Sequence, residues 1–92
     1  MLEIVYTTQM KKDVKLMKKQ GKDINKLIET LKMLASRQTM PPKYLDHQLI
    51  GNFKKFRECH IEPDWLLMYQ ILEDELILSA VRTGSHSQLL KK

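Results

Sequence analysis

W-L-L-M-Y-Q-I-L, Trp65 to Leu72, then Glu73-Asp74, then L-I-L-S-A-V-R from Leu76 to Arg82, is the stretch that decides the fold. The first run is apolar at nearly every position, as expected of a central strand covered on both faces. Glu73-Asp74 supplies a turn, and the second run reads as another strand. A link this short favours antiparallel neighbours.

Upstream, Pro63 separates Trp65 from the run Phe53 to His60, which reads as a strand leaving Gly51-Asn52. Pro41-Pro42 forbids helix, so Gln38 to Asp46 is expected to be a loop leading to His47. Before it, Ile24, Leu27, Ile28, Leu31, Leu34 and Ala35 recur at helical spacing over three turns and predict a helix with one buried face, opened by an Asp23 cap. A shorter helix with a stripe of Met10, Val14 and Met17 precedes it, capped by Thr7 or Thr8 and stopped at Gly21. Leu2 to Tyr6 reads as a first strand, and Ser85 to Leu90 as a last helical turn. The expected order is β-α-α-β-β-β. The fold class is α+β: a small antiparallel sheet with two N-terminal helices on one face, leaving the other face or its rim for a ligand.

The 92 residues form one domain, with 42% hydrophobic and 29% charged residues, a composition that excludes a disordered chain. A lone Cys59 cannot make an intramolecular disulfide, which favours a reducing compartment and a cytoplasmic location. No apolar stretch approaches the length of a membrane span, and M-L-E-I-V-Y lacks the layout of a signal peptide, so no membrane partner is expected. The net charge is +5, and eight lysines between Lys11 and Lys32 face only Asp13, Asp23 and Glu29. That basic surface suits a polyanion, though a merely solvated helix face explains the charge equally well.

The residues with chemistry to offer are His47, His60, Asp64 and His86, all at strand ends or in loops. Spacing argues against a metal centre. His60 and Asp64 are interrupted by Pro63, and Cys59 and His60 point to opposite faces of a strand. Cys59 is read as a packed side chain rather than a nucleophile. Histidines, a carboxylate and a cation suffice for metal-independent RNA cleavage, in which the ribose 2′-hydroxyl attacks the adjacent phosphate. Histidine can serve there as base or acid, Asp64 can orient a ring, and Arg82 can stabilise phosphate charge.

Three segments, K-K-D-V-K-L, D-H-Q-L-I-G-N-F-K-K-F-R-E-C-H-I-E-P-D-W-L-L-M-Y and R-T-G-S-H-S, strongly resemble the YafQ branch of the RelE-like toxins of bacterial toxin-antitoxin systems. The resemblance covers nearly the whole chain. It implies a microbial ribonuclease-like fold without a cofactor, and an endoribonuclease that cuts mRNA in the decoding site of the ribosome. It also implies inhibition by a cognate antitoxin, with DNA contacted only through the antitoxin complex. The family's active-site residues fall on His47, His60, Asp64 and His86, its phosphate-contacting arginine on Arg82, and an acidic residue that positions the message on Glu58. Glu58 and His60 share a strand face by alternation. Where the family can present a stacking aromatic, this chain has Leu90. Lys11, Lys12, Lys15, Lys18, Lys19, Lys22 and Lys26 would face ribosomal RNA. Two other classes remain: a non-catalytic RNA- or ribosome-binding module, and a repressor subunit acting through an antitoxin partner.

Overall fold

The computed structural model describes residues 1–89 as five strands and three helices. The strands are β1 (Glu3–Tyr6), β2 (His47–Gln48), β3 (Arg57–Glu62), β4 (Trp65–Leu72) and β5 (Ile77–Gly84). The helices are α1 (Thr8–Lys19), α2 (Ile24–Ala35) and α3 (His86–Leu89). The spatial order of the strands is β1-β5-β4-β3-β2, so the Trp65 run is the middle strand.

The sheet is mixed rather than wholly antiparallel. β2 to β5 pair antiparallel, but β1 lies parallel to β5, with Tyr6 opposite Ala80. A crossover of two helices carries the chain from β1 into the rest of the sheet, and such a connection permits a parallel pair.

Sequence chemistry sets the helix ends. The Thr7 hydroxyl accepts from Met10 N at 3.0 Å and donates to Val81 O at 2.8 Å, so one side chain caps α1 and fastens it to β5. Gly21, at φ 80°, ends α1 in the left-handed conformation, with Lys22 N donating back to Met17 O. Asp23 caps α2 through Asn25 N at 3.0 Å.

Leu27, Leu31, Leu34 and Ala35 of α2 pack with Met10, Met17, Trp65, Leu67, Tyr69, Leu78 and Ala80 to form the core. Ile28, expected in the buried stripe, is exposed, and Thr30 occupies the core side instead. The Thr30 hydroxyl donates to Lys26 O at 2.8 Å, a bond that removes the cost of burying it. Trp65 Nε1 donates to Thr83 Oγ1 at 2.8 Å, which donates to Leu66 O at 2.7 Å, so the buried indole is satisfied across two strands.

The strand expected from Phe53 begins only at Arg57. Gly51–Phe53 form a 3₁₀ turn with Gly51 at φ 63°, and the β2–β3 hairpin turns there. The expected loop from Gln38 to Asp46 contains a second 3₁₀ turn, Pro42–Tyr44, and is followed by the two-residue strand β2.

Candidate active site

Partners opposite one another in adjacent strands share a face of the sheet. His47 pairs with Glu58, Glu58 with Met68, and Met68 with Arg82, while His60 pairs with Leu66 and Leu66 with Gly84. His47, Glu58, His60 and Arg82 therefore lie on the face away from the core helices. A register shift beside Met68 and Tyr69 makes Val81 the extra residue of a bulge and bends the end of β5 where Arg82 sits.

Gly84 delivers His86 to this face. A Cβ at Gly84 would come within 2.7 Å of Gln88 Oε1, an atom that also accepts from Ser85 N at 2.8 Å. Glycine thus lets α3 fold tightly back on the strand that precedes it. His86 then meets Asp64 of the β3–β4 turn: His86 Nδ1 lies 2.8 Å from Asp64 Oδ1, and the His86 backbone N–H donates to the same oxygen at 3.2 Å. These contacts hold the Asp64 carboxyl below its ordinary acidity range.

The His60 and His86 rings stand 5.4 Å apart, centre to centre, tilted by 59°. His60 Nδ1 lies 3.3 Å from Pro63 O, and His47 Nδ1 lies 2.7 Å from Leu45 O. A carbonyl only accepts, so Nδ1 is the donor in both rings and Nε2 is the nitrogen left outside that bond. The left-handed backbone of Leu45, at φ 49°, brings its carbonyl to His47. All three rings are tied at Nδ1 to an oxygen, but they do not form one contact cluster. His60, His86 and Asp64 lie together, and His47 stands one strand away, with its Nε2 3.6 Å from Glu58 Oε1.

Glu58 is only 3% exposed, and its Oε2 makes no hydrogen bond among the described residues. Arg82 is half-buried and held by an acid from the lysine-rich stretch. Asp13 of α1 accepts from Arg82 Nε at 3.0 Å, from Nη2 at 3.1 Å, and from Thr83 N at 3.2 Å. β1 ends opposite Ala80, so among the described residues the edge of β5 beyond it has no strand partner, and Asp13 takes the Thr83 N–H there. Three guanidinium N–H groups of Arg82 remain for a ligand. One signal for Asp13 was in the sequence: with Met10 and Met17 it falls on the buried stripe of α1, where a carboxylate requires a partner.

Asp46, next to His47, is taken by Arg57 Nη2 at 3.1 Å and by the Tyr69 hydroxyl. Burial and the Asp46 bond push the Tyr69 phenol well above its ordinary range, which fits Tyr69 as a core aromatic. Burial pushes the Cys59 thiol up to about 12. Of the lysines expected at RNA, Lys11, Lys12, Lys15, Lys18 and Lys19 are exposed along α1. Lys22 and Lys26 are drawn instead to Glu62 of β3, at 3.5 and 2.8 Å. Leu90 lies outside the described residues.

The family model described as "Bacterial toxin of type II toxin-antitoxin system, YafQ" matches residues 2–91. The mRNA interferase toxin YafQ of Escherichia coli K12 is 41% identical over 88 residues, covering 95% of this chain and 94% of that protein. A metal-bound toxin from Helicobacter pylori superposes with a TM-score of 0.92 at 47% identity, covering 97% of this chain and 99% of the other. YafQ in the E. coli DinJ-YafQ complex superposes at 0.86 with 41% identity, covering 97% and 98%. The Helicobacter toxin binds metal, but among the described residues here no group of three or more His, Cys, Asp or Glu side chains could hold an ion. A fold shared along nearly the whole length, and a family match over 90 residues, settle the assignment: the chain belongs to the YafQ family of toxins of bacterial type II toxin-antitoxin systems.

Proposed function

We propose that this toxin is a ribosome-dependent, metal-independent endoribonuclease acting on mRNA in the cytoplasm. The observation that carries the reading is the His60–His86 pair, two rings 5.4 Å apart with both Nδ1 atoms tied and both Nε2 atoms available. His60, tied to a neutral carbonyl, is suited to take the proton from the 2′-hydroxyl as its oxygen attacks phosphorus. His86, facing the Asp64 carboxylate, is suited to carry a proton and give it to the leaving 5′-oxygen, producing a 2′,3′-cyclic phosphate. Asp64 orients that ring. Arg82 stabilises the charge developing on the phosphate oxygens through its free N–H groups. The unpartnered Oε2 of Glu58 can accept a hydrogen bond from the message, and His47 closes the far side of that row.

The exposed lysines of α1 suit ribosomal RNA, which would present the message to the histidines. A relative is described in complex with DinJ, which supports neutralisation of this toxin by an antitoxin, with DNA reached only through that complex.

The test is cleavage on ribosomes programmed with a defined message, with products mapped at both ends. Wild type should leave a cyclic phosphate and ignore chelator, while His60→Gln and His86→Gln bind ribosomes but fail to cut. Loss of activity in chelator on intact ribosomes, restored by zinc, would reject metal independence. Undiminished cutting by both variants would reject the histidine mechanism.

A further inference from the structure

His60 also lines a cleft, to which neither His86 nor Asp64 contributes, that the catalytic scheme leaves unused. β2 pairs only with Arg57 and Glu58, so among the described residues the outer edge of β3 from His60 to Glu62 has no neighbouring strand. The turn Pro42–Tyr44 packs along that edge instead and leaves a cavity of about 360 Å³ between itself and the strand. Its walls are Tyr44, Leu45, Ile61 and Pro63, and His60 forms one end. Lys43 and Glu62 stand at the rim.

We infer that this cleft is the seat of a nucleobase flanking the scissile phosphate, with Tyr44 as its stacking wall. The inference rests on the proposed RNA cleavage. A phosphate held between His60 and His86 has the cleft immediately beside it, so a neighbouring nucleotide of a single strand must pass its mouth. Pockets of this size with mainly apolar walls take small ring systems, and unpaired bases are recognised by stacking on aromatic faces.

The rim adds polarity suited to a base edge. The Lys43 ammonium stands over the Tyr44 ring, 5.4 Å from its centre, and on its flexible stem it can leave that face to a base and meet the adjoining phosphate. Glu62 is fixed by Lys22 and Lys26 and offers an acceptor in a set position. Trp65 and Tyr69 are sealed in the core and cannot take this role.

The experiment compares wild type, Tyr44→Phe, Tyr44→Leu and Leu45→Trp on programmed ribosomes. Tyr44 also packs against the core, so Leu45→Trp, which blocks the cleft from an exposed position, provides a variant that does not open the interior. Single-turnover rate, KM and the distribution of cut sites are read. So is quenching of 2-aminopurine placed beside a 2′-deoxy, uncleavable position. Tyr44→Phe should stay near wild type. Tyr44→Leu should lose about 5- to 150-fold, the range for one stacked base, with altered cut-site preference and weaker quenching. Leu45→Trp should show the same loss.

Unchanged rates, sites and quenching in Tyr44→Leu and Leu45→Trp would overturn the inference. Normal cutting combined with escape from the antitoxin would also overturn it, assigning the cleft to a protein partner. Quenching by a wild type that cuts nothing would reject the catalytic scheme and uphold the base cleft.

Discussion

One carboxylate oxygen of Asp64 receives both the ring and the backbone N–H of His86, at 2.8 and 3.2 Å. The ring is therefore oriented by a residue 22 positions away, across the tips of two strands. His86→Gln should lower single-turnover cleavage by about 10²- to 10⁴-fold, as loss of a general acid does, with ribosome affinity kept. A message with a 5′-thio leaving group should restore the rate. A large defect without rescue would move His86 to the role of base or positioning group.

The same contact sets a pH dependence. The Asp64 carboxyl sits below its ordinary value of 3.8, so the contribution of the contact is present above that value and is lost as pH falls through the depressed one. Nitrogen and proton resonances of the His86 ring should register the carboxyl titration below pH 3.8, and Asp64→Asn should abolish that step. A step at or above 3.8 would count against the pairing.

Asp13 holds Arg82 and the free edge of β5 together. Asp13→Asn keeps the shape but loses charge and one acceptor, leaving buried donors short of partners at a cost of about 1–3 kcal/mol. Urea unfolding should show the drop. Cleavage should fall further than stability explains, because the guanidinium is no longer aimed. Equal activity per folded molecule would remove Asp13 from the positioning of Arg82.

Cys59, fully buried with its thiol pushed up to about 12, should resist iodoacetamide at pH 8 in the native protein and react promptly in denaturant. Labelling of the folded chain at the denatured rate would contradict that burial.

Glutamine replacements at Lys11, Lys15 and Lys18 should weaken ribosome binding and flatten its dependence on salt, since each displaced counterion contributes to the slope. Lys26→Gln should change the slope less, because its ammonium already faces Glu62 at 2.8 Å. Equal effects from both sets would show that the Glu62 pairs open on the ribosome.

What the sequence disclosed follows the range over which each signal acts. The α2 helix, the Asp23 cap, the Gly21 stop and the apolar β4 run are local patterns and appear where expected, except that the buried stripe of α2 takes Thr30 in place of Ile28. The parallel docking of β1 on β5 joins opposite ends of the chain and leaves no mark in either segment. For the candidate site, the motif residues offered the histidines, Asp64, Glu58 and Arg82 as candidates. That His60 and His86 adjoin while His47 stands apart depends on strand register. Tyr44 was invisible for a similar reason: its value comes from the strand that β2 fails to provide beside His60–Glu62.

The bonds from Thr7 to Val81 and from Asp13 to Arg82 span 74 and 69 positions. The edge of the sheet that carries Arg82 therefore cannot close until the whole stretch from Thr7 to Arg82 is present, and His86 follows it. Contacts of such long sequence separation form slowly and together. A partly folded chain therefore carries His47 and His60 on their strands without Arg82 or His86 in place, and the two halves of the row come together only with the fold itself. Whatever loosens α1 from β5 thus takes Arg82 out of the row at the same moment, which makes these candidate residues as cooperative as the sheet edge that carries them.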